Sequence, residues 1–190
     1  MITTKRLTIR SFQYSDLERV HQVLSSAFNE DPNQTGALNN RESWLNWSIL
    51  NQKWFHRLSQ PPFGEQAICR NNDGLLIGVI GLVPCLDRFD QFPELSNMEK
   101  TSGLTQPEVG LFWAIDPDYQ KQGYATEAAK GFLEMIWNEL KIKRIIATTE
   151  YENYQSQNVM RKIGMKILKN NSSKPPWLQV VGVINHPKLD

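Results

Sequence analysis

The chain has 190 residues, of which 40% are hydrophobic and 22% are charged. These proportions are typical of a globular protein, and the length predicts one domain over residues 1–190. A formal net charge of +1 provides no strongly basic surface, so neither a nucleic acid nor a membrane surface is expected as a partner. Cys69 and Cys85 lack the spacing of metal ligands, and no metal is expected.

The N-terminal sequence Met-Ile-Thr-Thr-Lys-Arg-Leu lacks the apolar core of a signal peptide. No window of the chain approaches the ~18 apolar residues of a membrane-spanning helix. We therefore expect a cytoplasmic protein in which both cysteines are reduced.

Alternating residues between Lys5 and Ser11 predict a strand with Leu7 and Ile9 on its buried face. Helical spacing of Leu17, Val20, Val23, Leu24 and Phe28 predicts a helix after Tyr14-Ser15-Asp16.

A second helix is predicted from about residue 41 to residue 58, and it carries Trp44, Trp47 and Trp54. Core packing is the first interpretation for most of these tryptophans, because aromatic stripes on helices usually indicate burial. The alternative is that Trp44 or Trp47 faces a substrate.

The segments Gln66–Arg70 and Leu75–Val83 flank Asn71-Asn72-Asp73-Gly74, which predicts an antiparallel hairpin. The stretch from residue 84 to residue 107 is the least regular part of the chain. For its acidic residues, solvated charge is the first interpretation. The second is an acidic lip that attracts a cationic amine, formed by Asp87, Asp90, Glu94 and Glu99.

The centre of the sequence is a predicted strand, Val109–Ile115, followed by the turn Asp116-Pro117-Asp118 and a helix from Tyr124 onward. The joint between strand and helix carries small residues, which let backbone N–H groups approach a ligand. The N-terminus of the helix adds unpaired donors and the positive end of the helix dipole, which favour an anion. Neither the nucleoside-triphosphatase loop nor the dinucleotide-binding glycine pattern is present.

Four further elements are predicted after the central unit. Arg144–Thr149 is a strand, and residues 156–162 form a short helix that ends before Gly164. Residues 165–168 and 177–184 are two closing strands on either side of a polar turn.

The joint resembles the acyl-CoA loop of GNAT N-acetyltransferases, Gln/Arg-x-x-Gly-x-Gly/Ala, at Gln120, Gly123 and Ala125. Residues 153–165 are similar to the family's Asn-x-x-Ser-x-x-Val-x-x-Lys-x-Gly-Phe block. Three stretches around the loop look like the branch that acetylates ribosomal-protein N-termini: Glu108-x-Gly110, Pro117-x-Tyr119-Gln120 and residues 123–128. The chain is thus identified as a member of this branch. The resemblance implies one α/β (α+β) domain with a mixed, mostly antiparallel sheet of about seven strands flanked by helices.

The resemblance implies acetyl-CoA as the co-substrate. The pantetheine arm would lie beside Phe112, Trp113, Ala114 and Ile115, and the pyrophosphate would meet the loop and the start of the helix. Asn153 and Asn158 match positions that contact the cofactor or order water. The predicted loop ligands are Gln120, Lys121, Gln122, Gly123, Tyr124, Ala125 and Thr126.

Two residues are predicted to take part in catalysis. Glu108 would accept the amine proton, directly or through water; its alternative roles are a solvated carboxylate or a salt bridge. Many family members carry a Tyr acid four positions beyond the Ser156 position, where this chain has Met160, which cannot donate a proton. Ser156 is then the remaining hydroxyl, and its alternative role is structural, at the start of a helix.

The predicted function is acetyl-CoA-dependent transfer of an acetyl group to a primary amine, by direct transfer in a ternary complex. The absent Tyr keeps open a second class, a non-catalytic acyl-CoA-binding or regulatory module on the same fold. A protein N-terminus, a polyamine, an amino acid and an aminoglycoside all stay open as acceptors. Homodimers are common in the family, so the resemblance also allows a homodimer.

Overall fold

The computed structural model describes residues 1–95 and 103–189. Its helices and longer strands follow the predicted chain order. They are β1 (Ile2–Thr3), β2 (Leu7–Arg10), α1 (Leu17–Phe28), α2 (Ala37–Arg57), β3 (Gly64–Arg70), β4 (Leu76–Asp87), β5 (Gln106–Ile115), α3 (Tyr124–Met135), β6 (Arg144–Thr149), α4 (Tyr154–Lys162), β7 (Lys166–Lys169) and β8 (Val180–Asn185).

The strands hydrogen-bond in the order β1-β2-β3-β4-β5-β6-β8-β7. The sheet is mixed and mostly antiparallel, which confirms the predicted fold class. Over the described residues it has eight strands instead of about seven, because Ile2 and Thr3 add a short edge strand paired with Ile9 and Thr8. The chain divides into two compact units, residues 1–82 with 112–140, and residues 83–111 with 141–190.

In the first unit, β1 to β4 form an antiparallel meander, and α1 packs on one face of it. Leu7 and Ile9 are fully buried, as the alternation in β2 predicts. On α1 the buried positions Val20, Val23 and Leu24 recur at helical spacing. The core that they share with the sheet also includes Phe12, Leu45, Ala67, Cys69, Leu76, Val79 and Ala114.

Helix α2 starts four residues earlier than predicted and buries little of its apolar surface. Within it, the buried residues are Leu45 and Ser48. Trp44 packs against the core, whereas Trp47 and Trp54 are each 49% exposed. Core packing is therefore the wrong interpretation for two of its three tryptophans. Aromatic spacing shows which residues share a helix face, but it cannot show whether another layer covers that face.

Strand β5 ends at Ile115, and a short 3-10 turn over Pro117–Tyr119 leads to α3. Ala128, Ala129, Phe132 and Leu133 form the buried face of α3. The helix continues through one π turn, Ile136–Leu140. Both the strand and the helix of the predicted central unit are confirmed.

In the second unit, β8 pairs antiparallel with both β6 and β7. β5 pairs in parallel with β6, with Gly110 opposite Ile146. The last strand begins at Val180, later than predicted, because Pro176–Leu178 forms a 3-10 turn. The core of this unit contains Phe89, Phe92, Leu95, Ile146, Leu168, Leu178 and Val181.

The acidic residues of the irregular stretch have partners in the second unit. Asp87 accepts from Trp177 Nε1 at 2.8 Å, and Glu94 pairs with Lys166 at 3.2 Å. Asp90 is buried, and it accepts from Arg88 Nε at 2.9 Å and from the Gly103 N–H at 3.0 Å. Solvated charge is therefore the wrong interpretation for the buried Asp90, whereas Glu94 is exposed, as that interpretation expects. The acidic lip stays a prediction. The fourth acid of the stretch, Glu99, lies outside the described residues.

Candidate functional site

The joint between β5 and α3 is held by a network that starts at Asp116. The Asp116 carboxylate accepts from the Asp118 N–H at 3.1 Å and from Arg19 at 2.6 Å. Arg19 also donates to the Leu76 carbonyl at 2.8 Å. The end of β5 is therefore fastened to both α1 and β4, and this gives the loop that follows a rigid base.

Two glutamine side chains in the loop fold back on its own backbone. Gln120 Nε2 donates to the Ile115 carbonyl at 2.9 Å, and Gln122 Nε2 donates to the Asp118 carbonyl at 3.1 Å. Between them, Lys121 has a left-handed backbone with φ of 59° and is exposed. The side chains of Gln120 and Gln122 thus fix the loop by hydrogen bonds to carbonyl groups just before it.

Gly123 is the residue that turns the loop into α3. It is the N-cap, with φ of 86°, a conformation that a residue with a side chain rarely adopts. No side chain caps the helix, and its first backbone bond runs from the Glu127 N–H to the Gly123 carbonyl at 3.0 Å. The N–H groups of Tyr124, Ala125 and Thr126 precede that bond, so the helix itself offers them no acceptor.

Arg6 lies beside this helix N-terminus and supplies a positive charge. It pairs with Glu127 at 2.6 Å, and it donates to the Gln122 carbonyl at 3.1 Å. Its guanidinium lies 4.4 Å from the centre of the Tyr124 ring. With 41% of its side chain exposed, Arg6 both holds the loop and contributes charge where an anion would bind.

The strand residues predicted to lie beside pantetheine differ in burial. Ala114 and Ile115 are buried, and Trp113 is half-buried. Phe112 stacks on Phe28 of α1, with ring centres 6.2 Å apart. The four strand residues and the seven loop residues therefore all lie on one continuous segment of the first unit.

In the second unit, Glu108 forms an ion pair with Arg144. The Glu108 side chain is 7% exposed, and it accepts from Arg144 Nε at 3.0 Å and from a second guanidinium nitrogen. This is the salt bridge that the sequence allowed as an alternative. The role of Glu108 as the base stays a prediction. In that role Glu108 would act as a carboxylate that is already paired with Arg144.

Cys85 is too weak an acid to act as a nucleophile at neutral pH. Burial, followed by the nearby charges of Asp87 and Glu108, raises the pKa of Cys85 to about 11. Burial also raises the pKa of Cys69. Thiolate is the reactive form of cysteine, so neither residue suits an acetyl-cysteine intermediate.

The second sequence motif begins α4. Asn153 is the N-cap, and its side chain accepts from the Ser156 N–H at 3.0 Å. Asn158 is exposed, and it accepts from Arg161 at 3.0 Å. Met160 is 1% exposed and packs toward Gly182, where a Cβ would lie 2.9 Å from the Met160 sulfur. The role predicted for the Ser156 hydroxyl stays a prediction.

The two candidate substrate-binding tryptophans have different surroundings. Trp44 lines a cleft of about 370 Å³ between α1 and α2, together with His21, Glu30, Asp31, Gln34, Ala37, Asn40 and Arg41. Trp47 is absent from the lining of this cleft and lies near Gly64, where a Cβ would be 3.6 Å from its ring.

Three arginines that hold the candidate groups in place were not predicted as functional. They are Arg6, Arg19 and Arg144, and each pairs with a residue at least 36 positions away. Arg6 begins the sequence Arg6-Leu7-Thr8-Ile9-Arg10, and this Arg-Leu-x-x-Arg pattern at the start of the chain is a signal that could have indicated it. Nothing in the local pattern of Arg19 or Arg144 indicates a partner that distant.

The model of the acetyltransferase (GNAT) domain family matches residues 6–166. The chain belongs to the GNAT acetyltransferase family. It is 30% identical over 175 residues to the uncharacterized N-acetyltransferase YnaD of Bacillus subtilis, covering 87% of this chain and 82% of that protein. The resemblance inferred from the two motifs is thereby confirmed, and the chain is an acetyltransferase.

Solved structures confirm the fold. A GNAT-family acetyltransferase from Bacillus anthracis superposes with a TM-score of 0.67 at 23% identity, covering 97% of this chain and 98% of that one. The ribosomal-protein-S5-alanine acetyltransferase of Vibrio fischeri gives 0.66 at 14% identity, covering 99% and 97%. The microcin C7 self-immunity acetyltransferase MccE, solved with acetyl-CoA and AMP, gives 0.63 at 11% identity, covering 95% and 91%.

The described residues contain neither a membrane-spanning helix nor a cluster of metal-binding side chains. No helix in residues 1–95 or 103–189 is long and apolar enough to cross a membrane. The same part of the chain contains no group of three or more His, Cys, Asp or Glu residues arranged to hold a metal ion.

Proposed function

We propose that this acetyltransferase uses acetyl-CoA to acetylate a primary amine by direct transfer, and that residues 1–190 function as one domain. The observation that carries the proposal is the N-terminus of α3. There Gly123, without a side chain, precedes three N–H groups that lack intrahelical acceptors, and the Arg6 guanidinium lies beside them. A pyrophosphate supplies the oxygen acceptors that these three N–H groups lack.

The co-substrate is supported by the family and by the acetyl-CoA in the MccE structure. We assign the pyrophosphate to the N–H groups at Gln122–Thr126, and the pantetheine arm to main-chain groups of residues 112–115. Gln120 contributes by fixing the loop to the Ile115 carbonyl. Lys121 is exposed and is available to a phosphate.

Direct transfer needs an amine that has lost its proton and a thiolate that can leave. The amine nitrogen forms a bond to the thioester carbon, the carbon–sulfur bond breaks, and CoA leaves as a thiol once it gains a proton. The raised pKa values of both cysteines argue against an intermediate on sulfur. We assign the amine proton to Glu108, directly or through water, and the thiolate proton to Ser156.

A non-catalytic acyl-CoA-binding module is the second candidate function. The observation in its favour is Met160, a buried thioether where many family members have a tyrosine acid. Such a module would bind acetyl-CoA and transfer nothing.

Release of CoA separates the two functions. Purified protein is incubated with acetyl-CoA and, in separate reactions, a peptide with a free N-terminus, spermidine, lysine and an aminoglycoside, and free thiol is followed with a chromogenic reagent. Amine-dependent release supports the enzyme. Tight acetyl-CoA binding by calorimetry, without release from any amine, supports the module.

A further inference from the structure

Helix α2 exposes a row of large apolar side chains that the site described above does not use. Trp47, Leu50 and Trp54 are 49%, 47% and 49% exposed. Leu58, the C-cap of the helix, is 63% exposed. These four residues are the apolar stripe. Single apolar residues on a protein surface need no explanation, whereas a row of them on one helix is a candidate interaction surface.

The apolar stripe follows one side of the helix. Steps of three, four and four positions lead from Trp47 to Leu58, and such steps keep side chains on the same face. Leu45, which α2 contributes to the core, precedes Trp47 by two positions and points to the opposite side. Helix α2 therefore packs on the core with one side and presents the apolar stripe on the other.

The exposed area of the apolar stripe is large enough for a dimer interface. With the exposed fractions given above, two tryptophans and two leucines expose on the order of 400 Å². A standard interface buries about 800 Å² on each partner, of which about 57% is apolar, or roughly 450 Å². The apolar stripe thus supplies most of the apolar area that one half of such an interface needs.

Charged side chains lie along one flank of the apolar stripe. Glu42 is exposed near the start of α2, and Lys53 and Arg57 are exposed near its end. The charged groups of Lys53 and Arg57 lie 6.0 and 5.0 Å from the centre of the Trp54 ring. The flank is therefore acidic toward the N-terminus of the helix and basic toward its C-terminus.

This pattern is complementary to itself when two α2 helices run antiparallel across a two-fold axis at Leu50. Residues at equal distances before and after the axis then lie opposite each other, and each flank meets the same flank of the other helix. Trp47 and Trp54 are three and four positions from Leu50, and Glu42 and Arg57 are eight and seven positions from it. Each pair therefore meets to within one residue, about 1.5 Å.

We propose that a second copy of this chain binds the apolar stripe, with the two α2 helices antiparallel around a two-fold axis at Leu50. The stripes bury each other's tryptophan and leucine side chains. Two ion pairs between Glu42 of one copy and Arg57 of the other fix the register. The two copies of Lys53 stay roughly 9 Å apart along the helices, so their repulsion is screened by solvent. Neither acetyl-CoA nor an acceptor takes part, so the inference is independent of the proposed function.

Analytical ultracentrifugation at micromolar protein concentration tests the interface. Wild-type protein should have twice the 21.9 kDa mass of the chain. Leu50→Glu brings two carboxylates together at the axis, so it should weaken the dimer at least about a hundredfold. The matched control is Leu86→Glu, because Leu86 is 69% exposed and lies outside the apolar stripe. This control should leave the dimer unchanged.

A charge exchange tests the register. Glu42→Arg and Arg57→Glu each place like charges opposite each other and should weaken the dimer about tenfold, whereas the double variant should restore it. Residues 42 and 57 are roughly 22 Å apart along one helix, so restoration can only come from contact between copies. Both side chains are exposed, so the exchange does not disturb the core. Circular dichroism reports the folding of each variant. A monomeric wild type, a dimer that survives Leu50→Glu, or a double variant as weak as the single ones would overturn the inference.

Discussion

The loop before α3 and the contact between α2 and β3 differ in which of their polar groups lack hydrogen-bond partners. In the loop, Gln120, Gln122 and Glu127 are all hydrogen-bonded to neighbouring residues, and what stays open is backbone N–H. At the contact, backbone groups are engaged in helix and strand, and the open atoms belong to the side chains of Ser48, Asn51 and Glu65.

This difference decides what a sequence motif can predict. Backbone N–H groups at a glycine turn recognise a phosphate whatever the neighbouring side chains are, so a short motif is enough to predict the site. A fully bonded loop is preorganised, whereas unpaired buried groups reduce stability.

The largest effect is expected from Ser156→Ala, which tests whether a helix-start residue can also be catalytic. Its N–H is already used by the Asn153 cap, and the substitution removes only the hydroxyl. We expect kcat to fall roughly ten- to a thousand-fold with acetyl-CoA affinity nearly unchanged, as for a single proton donor. Stopped-flow or steady-state CoA release measures it, with Ser43→Ala as the control. Wild-type turnover would make Ser156 purely structural.

Glu108→Gln comes next, and it contrasts a paired carboxylate with the unpaired one at Glu65. The variant leaves the Arg144 guanidinium without its counter-charge, so we expect a loss of about 2 kcal/mol in the free energy of unfolding. Urea denaturation measures this loss. Unchanged stability would show that the ion pair contributes nothing.

The same variant tests the base. A lysine-like amine with a pKa of about 10.4 is almost fully protonated at neutral pH. If Glu108 takes its proton, turnover by Glu108→Gln should be depressed near pH 7 and recover partly as alkaline pH deprotonates the amine in solution. An α-amine, with a pKa of about 8, should show a smaller defect. Superimposable profiles of variant and wild type would exclude Glu108 as the base.

Glu65→Gln should have the opposite effect on stability. The folded pKa of Glu65 is raised above its unfolded value, so ionisation costs stability once the pH exceeds the unfolded pKa. The variant should match wild type at acid pH, where both states are protonated. It should become more stable by about 1 kcal/mol above the folded pKa. Urea denaturation across pH measures the difference, and a less stable variant at neutral pH would show that the carboxylate is already satisfied.

The smallest effect is expected at Arg6, whose charge is partly exposed. Arg6→Gln should weaken acetyl-CoA binding by about threefold at low salt and by less at high salt, because solvent ions screen an exposed charge. Lys5→Gln, an exposed neighbour with the same charge change, is the control in calorimetry. Equal affinities for both variants would limit Arg6 to holding the loop.

Most of the fold could be predicted because its local patterns are strong. Alternation in β2, the Asp73-Gly74 hairpin and the helical stripe of α3 each depend on neighbouring residues alone. The second helix shows the limit of this approach. Trp47 and Trp54 have the spacing of a buried face, yet burial depends on distant elements that periodicity does not describe.

The residues of the candidate site also differ in whether local sequence can predict them. The loop residues from Gln120 to Thr126 are contiguous, so a motif finds them all. Arg6 and Arg144 act through partners 121 and 36 positions away, and such pairings follow from the sheet order, which the local sequence does not specify. Glu65, Ser48 and Asn51 match no motif, and only the structure shows that they contain buried atoms without hydrogen-bond partners among the described residues.

The most direct test of the whole account is acetyl-CoA affinity, measured by calorimetry, for Gly123→Val against Gly36→Val. Gly36 is also a helix N-cap, with φ of 83° against 86° at Gly123, so both variants carry the same backbone strain. We predict that Gly123→Val weakens binding at least tenfold, about 1.4 kcal/mol, while Gly36→Val binds like wild type. Equal affinities in two folded variants would contradict it and remove the loop from the acetyl-CoA site.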